Sequence, residues 1–188
     1  NFLKKLGKFT LLAIAGTLVT SVLAEETDDH RQNLFQKPDM VLSPITDWPP
    51  NDQSRMWAVC AVTHEIAADI AQRESQAMST KESAQLANGA KLAAMITHIA
   101  DYPTDANDVS QREFTAKWNM AKMVMQSNYE TAQTSIFTRL EGKPEDFMQL
   151  YLPTYEYCLS ALEAQQAYVD IWREIYGSGV LEQPETTK

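Results

Sequence analysis

The chain has 188 residues and 44% apolar content, enough for one domain with a buried core. Its net charge of −9 argues against nucleic acid and against anionic membrane surfaces as partners. Two cysteines, Cys60 and Cys158, make a disulfide in an oxidising compartment and do not make a zinc or redox motif.

The first 24 residues predict a cleaved secretory signal. Lys4, Lys5 and Lys8 precede a short apolar run, and Val22 and Ala24 are the small residues before a cut at Glu25. The run is shorter than a spanning helix requires. Glu25 rather than cysteine follows the cut, so no lipid anchor is expected. Removal of three lysines leaves a more acidic chain, which suits solubility and a basic partner. The expected location is the periplasm or the cell exterior, with no transmembrane segment after cleavage.

Residues 25–51 read as an extended arm. Four prolines and a scatter of apolar residues break any period, and Leu34, Phe35, Val41, Leu42, Ile45 and Trp48 are expected to pack on the domain. Residues 52–177 read as helical. The first helix is expected over 52–78, with Met56, Val59, Cys60, Thr63, Ala67, Ile70 and Ala71 in one stripe. Ser79 and Glu82 suggest a capping box opening a second helix near Thr80, with Leu92, Met95, Ile96 and Ile99 facing inward.

Asp108 is the expected cap of a third helix. Its stripe runs through Phe114, Trp118, Ala121, Met125, Tyr129, Ala132, Ile136 and Leu140 to a stop at Gly142. A fourth helix follows Pro144, carries Phe147, Tyr151, Cys158, Leu162, Val169, Trp172 and Tyr176, and ends at Gly177. Pro153 predicts a kink or break inside it. Residues 178–188 read as a flexible tail. The fold class predicted is all-α: an up-down four-helix bundle with an extended N-terminal arm and a Cys60–Cys158 bond between its first and last helices. Helix four would overhang the first helix beyond that bond, and the arm is expected to cover the overhang.

No catalytic or cofactor motif stands out. His64-Glu65 lacks the second histidine of a zinc-protease helix, since position 68 is Ala68, and His64 is expected at the core boundary near Trp57. Glu65 and Asp69 are expected as solvated surface. His98 is expected to project away from the apolar face of its helix. Gln165 falls on an apolar stripe and needs hydrogen-bond partners. No metal ligand set, catalytic residue or cofactor is assigned. Met120 and Met123, one turn apart on the outer side of the third helix, are the candidate interaction patch. The leading expectation is a non-enzymatic exported binding protein, inhibitor-like or partner-binding, with a periplasmic protein as its partner. The alternatives are a metal or small-ligand carrier, drawing on Met120, Met123, His64 and His98, and an enzyme with an unmarked site.

Overall fold

The computed structural model describes residues 43–99, 111–179 and 181. The expected signal, most of the arm including Leu34, Phe35, Val41 and Leu42, and the Asp108 cap lie outside the described residues. Within them the protein is all-helical. A 3-10 turn, Ile45–Asp47, leads into α1 (Pro50–Arg73), α2 (Ala77–Ile96), α3 (Gln111–Gly142), α4 (Pro144–Ser160) and α5 (Leu162–Gly177).

Five helices stand where four were expected, and their bounds differ for physical reasons. α1 opens at Pro50, whose ring fixes φ at a helical value and whose missing N–H is no loss in a first turn. It ends at Arg73, not 78. Ser75 adopts φ 60°, Gln76 N–H donates to Ala71 O at 2.8 Å and Ser75 N–H to Gln72 O at 3.1 Å. This is a Schellman closure, with serine in the left-handed position that glycine usually takes. α2 therefore starts at Ala77, and the expected Ser79 cap is instead an interior helical residue.

The last helix divides at Ala161, not at Pro153. α4 runs through Pro153, because Phe147, Leu150, Tyr151, Thr154 and Cys158 bury a continuous face across it. One missing backbone bond is outweighed by that packing. Ala161, at φ −96° and ψ 7°, lets α5 leave α4 and lie against α2.

α1 is the central element. Every residue from 56 to 64 is buried, so the expected single stripe is a helix covered on all sides by α2, α3, α4 and the 3-10 turn. Its closest neighbour is α2, where Ala58 and Ala61 on one helix and Ala90, Ala93 and Ala94 on the other are all buried. Small side chains allow short interaxial distances. The stripe expected on α3 is the one that packs: Ala132, Ile136 and Leu140 enter the main core, Phe114 and Ala121 a second cluster, and Met125 touches both.

That second cluster answers the overhang. Met95, Ile99 and Phe114 with Trp118 pack against Ile175 of α5 and against Leu181. In the described part of the arm, Ile45 and Trp48 pack into the main core, 2% and 3% exposed.

Candidate functional site

Cys60 in α1 and Cys158 in α4 are joined, with Cα atoms 5.5 Å apart, and both are fully buried. One turn along α1, His64 is also fully buried. It was expected at the boundary near Trp57. Instead Trp57 turns to Tyr168, edge-on at 5.9 Å, and His64 meets the ring of Tyr155 edge-on at 5.8 Å. Tyr155 stacks on Tyr151 and Tyr151 on Phe147, an aromatic ladder at helical spacing along α4. The Tyr151 hydroxyl donates to Thr63 O at 3.2 Å, tying the ladder to α1. Neither ring nitrogen of His64 has a hydrogen-bond partner among the described residues. Burial pushes its pKa down to about 4, so the ring is neutral at neutral pH.

Gln53 organises the arm. Its Nε2 donates to Trp48 O at 2.7 Å and to Thr46 O at 3.2 Å, and its Oε1 accepts from the Tyr168 hydroxyl at 2.8 Å. Trp48 Nε1 donates to both oxygens of Ser43, and Tyr157 donates to Ser43 O at 2.8 Å. Burial raises the Tyr157 pKa, with a smaller contribution from the charge of Asp47. Beside these contacts lies an open cleft of about 630 Å³, walled by Pro44, Ile45, Tyr157, Ala161, Ala164 and Ala167.

A more polar recess of about 270 Å³ opens between α1, α2 and α3, over Val62, Ile66 and Phe137, with Glu65, Asp69 and Gln133 at its rim. Glu65 is more than solvated surface. Its Oε1 accepts from Lys91 Nζ at 2.6 Å, its Oε2 accepts from the Tyr129 hydroxyl, and Lys91 Nζ lies 4.3 Å from the Tyr129 ring centroid. Burial raises the Tyr129 pKa, and the hydrogen bond to Glu65 and the charges of Glu65 and Asp69 raise it further.

Met120 and Met123 are 67% and 73% exposed on the outer side of α3. The structure does not bring the carrier candidates together, since His64 is sealed in the core while both methionines face solvent. Among the described residues, no three His, Cys, Asp or Glu side chains group as a metal site. His98 follows the end of α2 in a turn, half-buried, with Nε2 enclosed and without a partner among the described residues, and its pKa lowered by burial. Gln165 is 5% exposed and donates to Leu86 O at 3.2 Å, a structural bond between α5 and α2. Sequence reasoning missed Gln53 and the contact of Glu65 with Lys91 and Tyr129. These rest on side chains from distant segments, and no spacing marks them.

Compared with known protein families, with curated proteins and with solved structures, the chain matches none. Among the described residues no helix is long and apolar enough to cross a membrane.

Proposed function

We propose that this is an exported, non-enzymatic helical binding protein that acts on a protein partner through the outer face of α3. Residues 1–24 serve as the cleaved export signal, and the mature chain resides in the periplasm or outside the cell, where Cys60–Cys158 stays oxidised. In this reading α1, α2, α3 and the α4–α5 pair are the four arms of an up-down bundle. The observation that carries it is the solvent exposure of Met120 and Met123 as neighbours one turn apart on a long helix whose opposite face is in the core. Methionine is flexible and polarisable, which suits an adaptable contact surface. The acidic field of the chain would speed encounter with a basic partner.

The test compares three proteins as bait in an extract of the source compartment: wild type, Met120→Glu/Met123→Glu, and Met78→Glu. Met78 is 72% exposed on α2 and serves as a matched control. A partner held by wild type and M78E, and lost tenfold or more by the double variant, supports the reading. Equal capture by all three, or no specific capture, defeats it. A second reading, a small-ligand carrier, is favoured by the recess at Glu65. It predicts added mass on untagged protein in gentle native mass spectrometry, which E65Q would abolish.

A further inference from the structure

His64 is chemically out of place. It is a titratable ring in the middle of the core, fully buried, with both nitrogens unpartnered among the described residues. Buried polar groups are nearly always hydrogen-bonded, and an exception calls for a reason. A phenylalanine would fill this position without an orphaned acceptor or donor.

Its surroundings define what a proton would do. From α4 the titratable groups are Tyr155, which touches the ring, and Tyr151, which stacks behind it and donates to Thr63 O. From α1, Cys60 is tied in the disulfide, and Glu65 is engaged by Lys91 of α2 and Tyr129 of α3. Asp47, in the 3-10 turn, bears on Tyr157 further along α4. Among the described residues no carboxylate pairs with the imidazole, and burial accounts for its lowered basicity. A protonated ring would carry a charge and two N–H donors with no acceptor to receive them. A buried unpaired charge is too costly to keep, so the ring must reach water.

The seam that can yield is the one between α1 and the aromatic ladder. α2 holds α1 through close alanine packing, whereas α4 meets the ring through Tyr155, and the disulfide fixes α4 only at Cys158. We propose that the α1–α4 seam is an acid-sensitive latch: protonation of His64 releases the Phe147, Tyr151 and Tyr155 ladder from α1, while Cys60–Cys158 keeps the two helices tethered. The opened state presents an aromatic face that is hidden at neutral pH. Because the closed fold holds the proton on this ring more weakly than an ordinary histidine, falling pH favours the opened state increasingly from about 6.5 down to about 4, where the bias levels off.

The experiment uses the intact oxidised chain. Near-ultraviolet circular dichroism, binding of an apolar dye and the ring resonances of its histidines are followed from pH 7.5 to 4. The expected result is loss of the tyrosine near-ultraviolet signal and gain of dye binding, with far-ultraviolet helicity kept, in the same step as protonation of His64. His64→Phe and His64→Gln are expected to remove the step, and His98→Gln to keep it. The proposal is overturned if the wild-type near-ultraviolet signal is unchanged to pH 4, or if His64 protonates in a separate step. It is also overturned if either folded His64 variant keeps the transition. The wild-type titration decides the matter if neither variant folds.

Discussion

The carboxamide of Gln165 occupies the space that a side chain at Gly89 would need: a Cβ there would clash with Gln165 Nε2 and lie 3.1 Å from its Cδ. Glycine is a poor interior helix residue, yet here it lets α5 hang its hydrogen bond on Leu86 O. Gly89→Ala is therefore expected to cost about 1–2 kcal/mol by overpacking, despite a gain of about 1 kcal/mol in helix propensity. In a Gln165→Ala background the same change should cost nothing or stabilise. Denaturant unfolding of the four proteins of the cycle measures the coupling, and simple additivity would show that the close approach has no energetic consequence.

Ser75 gives an opposite case, a place where glycine is missing. Its φ of 60° closes α1, and the two backbone bonds of that turn hold the geometry in place. A serine Cβ is strained there and glycine is not. Ser75→Gly should raise stability by about 0.5–1 kcal/mol, seen as a rise of roughly 1–4 °C in Tm. Ser75→Val should lower it, since a β-branched residue tolerates this conformation least.

These positions also show what could be read in the sequence. Helical periodicity marked α3 and its core stripe, because that helix has one buried side from Phe114 to Leu140. On α1 it marked residues that are buried, Met56, Val59, Cys60, Thr63 and Ala71, but it did not show that residues 56–64 are buried on every side. The close approach of α1 and α2 through their alanines was not legible, because it depends on both helices at once. Local turn signals did not place the helix ends. Serine closed a helix in the glycine position, and the packing of Phe147 to Cys158 carried α4 through Pro153. The disulfide was legible because apolar stripes pointed both cysteines inward. The hydrogen-bonded positions of Gln53 and Glu65 were not, because their partners lie in segments that only the tertiary fold brings near.

The bond between Cys60 and Cys158 spans a sequence separation of 98 residues and links α1 to the last turn of α4. On the chain-entropy account, closing such a loop contributes about 4–5 kcal/mol. Cys60→Ala/Cys158→Ala is expected to lose most of that, with a small added cost for the emptied core volume. Urea unfolding with and without reductant checks it. A loss below about 1 kcal/mol would mean that packing of α4 and α5 already restricts the unfolded chain.

Glu65 ties three helices through Lys91 and Tyr129, and this group should respond in two ways. Glu65 and Lys91 are about a third exposed, so solvent screens the ion pair and its removal is expected to cost no more than about 1 kcal/mol. The clearer readout is the phenol. The hydrogen bond and charge of Glu65 both disfavour the Tyr129 phenolate, after burial. Glu65→Gln should therefore shift ionisation of Tyr129 to lower pH, part of the way back to the ordinary tyrosine range, in an ultraviolet titration with Tyr129→Phe as reference. An unchanged titration would place the cause in burial alone.

On the acid side, His64 should make stability depend on pH. Its folded-state pKa of about 4 lies below the ordinary value of 6.5. Above pH 6.5 both folded and unfolded chains hold the ring neutral, and it contributes no pH dependence. As pH falls from 6.5 to 4 the unfolded chain takes up the proton and the closed fold does not, so stability declines. Below pH 4 both are protonated and the contribution levels off. The gap corresponds to about 3 kcal/mol lost across that window. His64→Phe should flatten this part of the profile, and because phenylalanine leaves no orphaned nitrogen it should equal or exceed wild type at pH 4.5. Urea midpoints at pH 7.5, 6 and 4.5 for both proteins decide it: parallel profiles would mean that other groups govern the acid limb and that the buried imidazole finds water without cost.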